Sequence, residues 1–459
     1  MVQDALRRLV CGANLSLFAG LLGFCGSVTI WMMARIVLNT FGSFGDLHPF
    51  LALAIELKRR GHKALIATSQ VYRAKVQAEN IEFASVRPDV GGLIDDAEML
   101  RKLWDPRHGT EYLLRDVILP PIEQSYEDLE RACQGAELLV THTAAPAGPI
   151  VAEAKRLCWL SAVLQPAAFL STYDSPVLAQ GPWLKKLDRF GRWPFRAALA
   201  LGKQRTRHWM RPVFALRKRL GLPPGKMPMM QAQFSPEGTL ALFSRHFAAP
   251  QPDWPPHVTT AGFVYYDKRG PFFEASASRM ATELSDFLAS GPPPIVFTLG
   301  SSAVMQPGTF FHESLHAAHL LRQRAVLLTG PGGADQLGPE LPDSACVVEY
   351  APYSELLPHA SVVVHQGGIG TTAQALRAGV PTLVVPWAHD QPDNAYRLRK
   401  LGVSRTLDRK HYTAANAARE IRPLLEQPDY ATSARTLNEQ LLAEDGLKTA
   451  CDAIQRHLN

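Results

Sequence analysis

A short stretch near the carboxyl end of the chain, residues 362–395, constrains the fold more than any other. It reads VVVHQGGIGTTAQALRAGVPTLVVPWAHDQPDNA. An apolar run, Val362 to Val364, leads into a glycine-rich turn and then into a helical run that ends at Gly379. A second apolar run, Thr382 to Val385, follows shortly after. A strand, a glycine turn, a helix and another strand in this order predict a βαβ unit of a parallel sheet.

The turn that contains Gly367, Gly368 and Gly370 predicts a binding site for a phosphate. The first N–H groups of a helix have no partner inside the helix, and the helix dipole favours negative charge at the same end. Glycine has no side chain, so a phosphate can approach its backbone closely. Asp390 and Gln391 come just after the next strand, at the edge of the sheet where a sugar attached to that phosphate would lie.

The spacing of the glycines argues against two common nucleotide-binding motifs. A dinucleotide site would read G-x-G-x-x-G, with an acidic residue about twenty positions later. An ATP-binding P-loop would read G-x-x-x-x-G-K-[ST]. This stretch matches neither pattern, so dinucleotide and ATP binding are disfavoured, and with them a Rossmann-type oxidoreductase.

The whole string from His365 to Asn394 resembles the nucleotide-sugar signature of family 1 glycosyltransferases of the GT-B fold. The resemblance covers most of the chain from Arg35 onward. It is greatest to bacterial relatives of sterol glucosyltransferases and of the rhamnosyltransferase chain of rhamnolipid synthesis. It is weak between Gly91 and Pro228, where acceptors bind. It implies an α/β fold of two facing, Rossmann-like, doubly wound parallel sheets with the active site in the cleft between them.

The pattern along the chain also indicates two such halves. From Arg35, short β-branched runs alternate with amphipathic helical runs, such as a predicted strand at 36–40 and a predicted helix at 49–60. Four prolines in the seven residues 250–256 break the alternation, which resumes at Ile295. The predicted segments are an apolar leader at 1–32, an acceptor-binding domain at 33–249, a proline-rich linker at 250–275, a donor-binding domain at 276–430, and C-terminal helices at 431–459, the last of which crosses back to the first domain in GT-B enzymes.

Residues 9–34 are almost uncharged and follow Arg7 and Arg8, and three interpretations of them are open. They could be an upstream start that is not used, a membrane anchor or a signal peptide. A secreted form is disfavoured, because no A-x-A cleavage site precedes the first core strand. Met33 stands where a chain without this leader would naturally begin.

Length and composition exclude several classes of protein. A chain of 459 residues can hold two domains with sizeable cores, and 46% apolar with 20% charged residues fits a soluble globular protein. The six cysteines form no C-x-x-C pair, which argues against a structural zinc and for the reducing cytoplasm. A net charge of +6 is not by itself a nucleic-acid signature at this length.

Inverting glycosyl transfer needs a base for the acceptor hydroxyl, and Asp46 is the predicted base. It lies in the loop GSFGDLHP at residues 42–49, which resembles the G-S-x-G-D-x-x-P loop of bacterial and sterol glycosyltransferases. His48 is the local rival for this role. The alternative for Asp46 is a structural role as the N-cap of a helix that opens at Pro49.

The resemblance assigns the donor contacts to the second half of the chain. His365 or Gln366 would contact the diphosphate, depending on how the motif is aligned. Tyr350 would stack on a uracil or thymine ring, and Gln374 would bind the ribose hydroxyls. The other expected contacts are Asp390 and Gln391 to the sugar hydroxyls, and Gly300, Ser301, Gly368, Gly370, Thr371 and Thr372 to the phosphates.

A basic stretch from Lys185 to Arg219 carries twelve Lys and Arg residues against one Asp, with aromatic residues interleaved. Two interpretations of this stretch are open. It is either a solvated helical face whose aromatic rings pack inward, or a contact to an anionic bilayer or to an anionic, lipid-like acceptor. Nucleic acid is disfavoured, because no known binding module accompanies the charge.

The combined prediction is a metal-independent, inverting hexosyltransferase. It would move a hexose from a UDP- or dTDP-sugar to a hydroxyl of a hydrophobic or lipid-like acceptor, as in glycolipid or secondary-metabolite glycosylation. No cofactor beyond this co-substrate is expected, and no metal, since the donor half has no D-x-D motif. Two alternatives are a non-catalytic GT-B subunit that activates a partner, which the intact Asp46 loop disfavours, and a GT-B nucleotide-sugar epimerase, which the 365–394 string disfavours.

Overall fold

The computed structural model describes residues 33–91, 96–266, 274–333, 337 and 341–458. The predicted leader at 1–32 and part of the predicted linker lie outside these residues. Residues from Ala34 onward form one compact unit that contains two parallel sheets. No helix in the described ranges is both long and apolar enough to cross a bilayer.

The strands of the first sheet are β1 (Arg35–Asn39), β2 (Lys63–Thr68), β3 (Glu82–Ser85), β4 (Leu138–His142), β5 (Cys158–Val163), β6 (Thr239–Ala241) and β7 (Val258–Thr260). They are parallel and lie in the order β3-β2-β1-β4-β5-β6-β7. The central strands are buried apolar runs, as expected when helices cover both faces of a sheet. In β1, Ile36 and Leu38 pack into one helical layer and Val37 into the other.

The strands of the second sheet are β8 (Ile295–Thr298), β9 (Ala325–Leu328), β10 (Ala345–Val348), β11 (Val362–His365), β12 (Thr382–Val384) and β13 (Ser404–Thr406). They are parallel and lie in the order β10-β9-β8-β11-β12-β13. Counted from β8, this order repeats that of the first six strands of the first sheet. Both sheets are therefore doubly wound, and the predicted fold of two Rossmann-like halves is confirmed.

Helices connect the strands and cover the faces of both sheets. The helices of the first half are α1 (Phe44–Arg59), α2 (Arg73–Ala78), α3 (Ala97–Leu103), α4 (Gly109–Tyr112), a π-helical turn (Leu113–Ile118), α5 (Ile122–Ala132), α6 (Ala147–Lys155), α7 (Trp193–Thr206) and α8 (Arg211–Arg219). Those of the second half are α9 (Glu274–Ala289), α10 (Gly300–Ala303), α11 (Phe310–Leu321), α12 (Tyr353–Leu356), α13 (Ile369–Ala378), α14 (Gln391–Lys400), α15 (Ala414–Glu426), α16 (Pro428–Leu442) and α17 (Gly446–Gln455). Short 3₁₀ helices are Gln70–Tyr72, Pro166–Phe169, Pro182–Phe190, Leu357–His359 and Arg409–His411.

Helix α1 begins at Phe44, five residues before the predicted start at Pro49. Ser43 is its N-cap, and Ser43 and Asp46 form a capping box that stabilises this earlier start. Pro49 therefore lies inside the helix, where it lacks the N–H that would bond to the carbonyl of Gly45. The prediction placed the proline in the first turn, where it is favoured, but the capping box decides the boundary.

The proline-rich run at 250–256 lies between β6 and β7, and both strands belong to the first sheet. Thr239 of β6 pairs with Val258 of β7 in parallel register. The boundary expected at residue 250 therefore falls inside the first domain, and the chain leaves the first sheet only after Thr260. The prolines form a connection between two adjacent strands, a position in which the missing N–H groups interrupt no ladder.

The last helix, α17, packs on the first half of the molecule. Cys451 and Ile454 of α17 are fully buried in the cluster that contains the apolar side of α1. Arg60, at the end of α1, donates from one guanidinium nitrogen to Asp452 and Gln455 at 2.6 Å each. Helix α17 thus returns to the sheet that contains β1.

One apolar cluster joins the two halves. Val163 and Phe243, from the first half, pack in the same cluster as Leu376 and Val384 from the second. These four side chains are nearly or fully buried. The packing sets the position of each half against the other and so brings their strand ends together.

Candidate active site

Each sheet reverses its strand order beside its first strand. In the first sheet the reversal lies between β1 and β4, and in the second between β8 and β11. Ligands of doubly wound sheets bind beyond the carboxyl ends of the strands at such points. A methyl group added to Gly370, in the first turn of α13, would lie 3.5 Å from the Cα of Gly45, in the first turn of α1. The starts of these two helices therefore meet between the sheets.

The loop after β1 holds the Asp46 carboxylate in one position. Its Oδ2 accepts the N–H of Ser43 at 2.8 Å and the hydroxyl of Ser43 at 3.2 Å. A side chain on Gly42 would collide with this oxygen, and Gly42 has a φ of +133°, a conformation that favours glycine. Asp46 is therefore the third residue of α1 and a partner in its capping box, whereas the N-cap is Ser43.

The Asp46 carboxylate is close enough to three other groups to influence their protonation. Burial raises the pKa of Tyr72, and the charge of Asp46 adds to this shift. Burial lowers the pKa of His142, and the charge of Asp46 opposes that shift. Burial raises the pKa of Asp390 to about 7, with the charge of Asp46 as the second cause. The predicted base of the first half and a predicted sugar-binding carboxyl of the second thus lie within electrostatic reach.

His48 follows Asp46 by two residues in α1, and residues two apart point to different sides of a helix. The centroid of its ring lies 5.5 Å from that of Phe44 and 5.0 Å from that of Tyr266. Burial, and then the charge of Lys75, lower the pKa of His48 to about 3, so the imidazole is neutral near pH 7. The structure therefore places His48 in an aromatic cluster and separates it from Asp46.

The glycine turn after β11 leaves the start of α13 open to a ligand. Gly368 is the N-cap of α13, and no side chain of the described chain caps this end. Gly367 has a φ of +88°, and a side chain there would lie 2.7 Å from Val384. The amide of Asn394 donates to the carbonyl of Gly367 at 2.9 Å and holds the turn. The N–H groups of the first turn of α13 are therefore available to a phosphate.

Gln366 and His365 occupy different places at the end of β11. A side chain on Gly300 would collide with Nε2 of Gln366, which also lies 3.5 Å from the Thr371 hydroxyl. Gln366 therefore lies between the two predicted phosphate loops. His365 is fully buried, accepts the N–H of Gly367 through Nδ1 at 3.1 Å, and has a pKa lowered to about 3 by burial. It is a neutral side chain that supports the turn.

The other predicted donor residues lie around the same crevice and differ in exposure. Gly300 begins α10 with a φ of +66°, and Ser301 beside it is exposed. Tyr350 lies on the loop after β10, close to Tyr266 of the first half. Burial and a hydrogen bond to Glu79 are the main causes that raise the pKa of Tyr266, and Tyr350 adds to them. On α13, Gly370 is half-buried, and the predicted side chains of Thr371, Thr372 and Gln374 are buried.

Asp390 and Gln391 stand at the start of α14 with different hydrogen bonds. The carboxamide oxygen of Gln391 accepts the N–H groups of Trp387 at 2.7 Å and Ala388 at 3.1 Å. This fixes the amide so that its NH₂ group is the part left to donate. The Asp390 carboxylate accepts from Asn394 at 2.7 Å and, within the described chain, does not cap the helix. Asp390 thus occupies the N-cap position of α14, but its side chain bonds to Asn394 and makes no capping hydrogen bond.

A contact between the halves beside Asp390 was missed by the sequence reasoning. Trp104, just after α3, is buried among the apolar side chains of the second half. Its ring lies edge-on to that of His389, with 5.4 Å between centroids. The hydroxyl of Thr110 lies 3.2 Å from Nδ1 of His389. No local pattern in the chain could indicate this pairing, because the residues are far apart in sequence.

A buried ion network also attaches α14 to the first half. Arg397 pairs with Asp393 on its own helix at 2.7 Å and with Asp174 of the first half at 2.5 Å. Asp393 is fully buried and accepts the N–H of Val177 at 2.9 Å. The i,i+4 spacing of Asp393 and Arg397 was visible in the sequence, whereas Asp174, 223 residues from Arg397, was not.

A small cavity that is open to solvent lies at the carboxyl end of β4, and its volume of about 380 Å³ includes solvent at its mouth. Most of its wall is apolar, with His142 on the side of β1 and Lys226 and Arg217 among its polar residues. Because the charge of Asp46 influences His142, this cavity lies near the predicted base. The apolar part of the lining is Ala145, Pro146, Pro149, Ile150, Val213, Pro228, Met229 and Ala232.

Helix α11 carries an H-E-x-x-H string, His312 to His316, which the sequence reasoning also missed. Both histidines are exposed, and the Glu313 carboxylate accepts the N–H of Ala414 at the start of α15. Within the described ranges, no group of three or more His, Cys, Asp or Glu side chains converges to hold a metal ion. Glu313 thus connects two helices here, and a third ligand for the two histidines is missing from the described part.

Two family models match the chain. The N-terminal domain of glycosyltransferase family 28 matches residues 36–157, and the C-terminal domain of the erythromycin biosynthesis protein CIII-like family matches residues 323–449. An O-mycaminosyltylonolide 6-deoxyallosyltransferase from Streptomyces fradiae is 33% identical over 439 residues, which cover 92% of this chain and 97% of that protein. A sterol 3-beta-glucosyltransferase from Arabidopsis thaliana is 26% identical and covers 92% of this chain and 68% of its own length.

A solved structure, that of the glycosyltransferase VinC in complex with DTDP, has the same fold. Its TM-score is 0.62 at 18% identity, and the match covers 92% of this chain and 99% of that one. Fold and site together define a glycosyltransferase of the GT-B class. More narrowly, the chain belongs to the family that joins a family 28 N-terminal domain to an EryCIII-like C-terminal domain. It is a hexosyltransferase that uses a nucleotide-sugar donor, and the predicted resemblance is confirmed.

Proposed function

We propose that this hexosyltransferase inverts the anomeric centre without a metal ion, with Asp46 as its base. The acceptor oxygen attacks C1 of the donor sugar from the face opposite the diphosphate while Asp46 takes the hydroxyl proton. The bond from C1 to the diphosphate oxygen breaks, and the nucleoside diphosphate leaves with the electron pair. This step needs a fixed base, a fixed sugar and a site that stabilises the departing charge.

The observation that carries the proposal is the meeting of the two helix starts. Gly45 and Gly370 are close enough that a methyl group on the second would contact the first. The Asp46 carboxylate lies one residue from Gly45, and the open start of α13 begins at Gly368. A sugar held in the crevice beside this contact would have the base on one side and its diphosphate on the other, which is the in-line arrangement for inversion.

The diphosphate has two kinds of support on the second half. The open N–H groups of α13 and its dipole stabilise negative charge without an ion. Gln366 lies between the Gly300 loop and Thr371, and its neutral amide can donate to a phosphate oxygen. We therefore favour Gln366 over the buried His365 as the direct contact. Ser301, Gly368 and Gly370 would contribute main-chain N–H groups, whereas the N–H of Gly300 already donates to the Thr298 hydroxyl at 3.1 Å.

The sugar and the base would be held by side chains around the same crevice. The NH₂ group of Gln391 can donate to a sugar hydroxyl, because its oxygen is already occupied by the main chain. Asp390 can accept from a neighbouring hydroxyl in its ionised form. Tyr350 would stack on uracil or thymine, and Gln374 would bind the ribose. The donor is accordingly a UDP- or dTDP-hexose.

The acceptor that we propose is a hydrophobic or lipid-like molecule with a free hydroxyl. The support is the largely apolar cavity beside His142, and the names of two relatives, which specify a tylonolide derivative and a sterol. We also propose a cytoplasmic location. The four described cysteines, Cys133, Cys158, Cys346 and Cys451, are all free thiols, as expected in a reducing compartment.

The decisive experiment measures thermal stability and donor hydrolysis in the presence of EDTA. UDP, dTDP, UDP-glucose and dTDP-rhamnose are compared with NAD⁺, because a ligand that binds only the folded protein raises the midpoint of unfolding. We expect a shift with one nucleoside diphosphate and none with NAD⁺. With water as the acceptor, proton NMR should first show the released sugar in the anomeric form opposite to that of the donor. Release of the same anomer, or a strict need for added metal, would overturn the mechanism.

A further inference from the structure

Residues 182–207 of the first half form a surface that we call the basic aromatic ridge. It comprises the 3₁₀ helix Pro182–Phe190 and the helix α7. No residue of that 3₁₀ helix is buried. The side chains of Trp183, Phe190 and Trp193 are 60%, 56% and 68% exposed. Single exposed apolar residues need no explanation, but three large rings within eleven residues indicate a surface that meets a partner.

Cations surround these rings without acids to neutralise them. Asp188 is the one acidic residue between positions 182 and 207, and it already accepts from Ser175 and pairs with Lys185 at 3.0 Å. The interpretation that the aromatic rings of the basic stretch pack inward holds for Phe195, which is buried, and for Trp209 and Phe214, which pack against a core cluster. It does not hold for Trp183, Phe190 and Trp193. The exposed cations, none of them in an ion pair with a described acidic side chain, are Lys186, Arg189, Arg192, Arg196, Arg205 and Arg207.

We propose that the basic aromatic ridge docks the enzyme on an anionic lipid bilayer. Tryptophan rings prefer the boundary between headgroups and acyl chains, where one part of the ring is apolar and the N–H stays wet. Lys and Arg side chains are attracted to anionic headgroups, and several of them act together. An anionic bilayer fits a surface of cations with exposed tryptophan between them. A neutral apolar partner fits it less well, because it would leave the charges desolvated.

The basic aromatic ridge contacts residues near the active site, so docking at the ridge would bring the active site close to the bilayer. A methyl group added to Gly202 in α7 would contact the terminal carbon of Met230 at 4.0 Å, and the neighbouring Met229 lines the apolar cavity. Lys185 donates to the carbonyl of Ser175 at 2.6 Å and lies 4.7 Å from the ring centroid of Tyr396 on α14. The ridge therefore lies beside a segment that lines the cavity of the proposed acceptor. This role of the cavity rests on the proposed function, whereas the docking itself does not.

The test is flotation of the full-length protein with vesicles of phosphatidylcholine alone or mixed with phosphatidylglycerol, at low and high salt. We expect binding to the mixed vesicles that weakens with salt, because screening reduces the attraction. The variant Trp183→Ser with Trp193→Ser should bind at least about tenfold less, since both rings lose their place in the interface. A second variant, Arg189→Gln with Arg192→Gln, should lose the preference for anionic vesicles.

The matched control is Leu442→Ser on α16, since Leu442 is 64% exposed and lies outside the ridge. It should bind like the unmodified protein. All variants keep the leader at 1–32, so binding by that segment would be equal among them and would overturn the proposal. Absence of binding, or equal binding to neutral vesicles, would also overturn it and would leave a protein partner as the alternative. The thermal shift with nucleotide should be unchanged in every variant, which separates this proposal from the proposed function.

Discussion

The two helix starts that meet at the cleft use the same kind of backbone group in opposite ways. At α1 the Ser43 hydroxyl and the Asp46 carboxylate close the first turn in a capping box. At α13 the N-cap is Gly368, and no described side chain covers the open N–H groups. A capping box fixes a carboxylate, whereas an open start receives an anion from outside. In the proposed mechanism the two helices therefore have different roles: α1 presents the base, and α13 holds the leaving group.

The largest expected effect comes from removing the proposed base without disturbing its helix. In Asp46→Asn, the carboxamide oxygen can still accept the N–H of Ser43, so the capping box survives in part. We expect transfer to fall about 10²–10⁴-fold, as for the loss of a general base, while the nucleotide Kd stays nearly constant. The measurement is kcat for transfer together with calorimetric nucleotide binding.

Ser43→Ala is the control for this comparison, since it removes the cap and keeps the carboxylate. It should lower the free energy of unfolding by about 1 kcal/mol and leave most of the activity. If both variants lost activity and stability to the same extent, Asp46 would be a cap and no more.

The second-largest effect tests the proposed phosphate site of the second half. Gly300→Ala forces a methyl group against Gln366 at a φ of +66°, so the amide must leave its place between the phosphate loops. We expect the nucleotide Kd to rise by a factor of about 100, on the order of one lost charge-assisted hydrogen bond with added strain. Gly308→Ala is matched, with a φ of +56° and open space around it, and should cost stability alone. Equal Kd values for the two variants would show that Gln366 does not contact the nucleotide.

A smaller effect is expected from removing Tyr350, the residue proposed to stack on the nucleobase. Tyr350→Ala should raise the Kd for the nucleoside diphosphate about tenfold, because stacking on an aromatic face contributes about 1–2 kcal/mol. Tyr350→Phe keeps the ring and should bind almost as well as the unmodified protein. Binding that is unaffected in the alanine variant would show that another residue contacts the base. Isothermal calorimetry with UDP and dTDP also reports which base is preferred.

The smallest effect is on stability and depends on pH. Asp390 has a pKa of about 7 in the folded protein, raised by burial and by the charge of Asp46, against about 4 in the unfolded chain. Between these values the folded state binds more protons than the unfolded one, so stability falls as the pH rises from about 4 to about 7. Asp390→Asn should lack this loss, so the free energy of unfolding of the variant relative to that of the unmodified protein should be higher at pH 8 than at pH 4.

Urea unfolding at several pH values measures this difference, and Asp429→Asn, at an exposed position on α16, is the control. A pH dependence that is the same in the Asp390 variant and the unmodified protein would show that the pKa of Asp390 is not raised in the folded protein. The charge of Asp46 would then have no effect on stability through Asp390.

The second half of the molecule was more predictable than the first, for a physical reason. Its phosphate site consists of consecutive residues, because a turn and a helix start are local structures. The resemblance and the two-sheet fold derived from that stretch were both confirmed. The acceptor side is built instead from separate segments, such as Trp104 with His389 and the cavity that joins β4 to α8. In that half, the alternation of β-strands and helices and the Asp46 loop were visible in advance.

Two boundaries show how local signals were overruled. Pro49 suggested a helix start, but the Ser43 and Asp46 capping box begins the helix earlier. The prolines at 250–256 suggested a linker, but β7 still pairs with β6 after them. In both cases proline correctly indicated an interruption of hydrogen bonding, while the surrounding contacts determined what the interruption meant.

The amino-acid sequence by itself determined the parallel two-sheet architecture, the open glycine turn and the aspartate loop after the first strand. Hydrophobic period, glycine positions and cap residues act between neighbours in the chain, so they can be interpreted without coordinates. Only the tertiary structure decided that Gly45 meets Gly370, that Asp46 influences Asp390, and that Arg397 binds Asp174. These pairs lie hundreds of residues apart, and they come together because one apolar cluster packs the two sheets against each other.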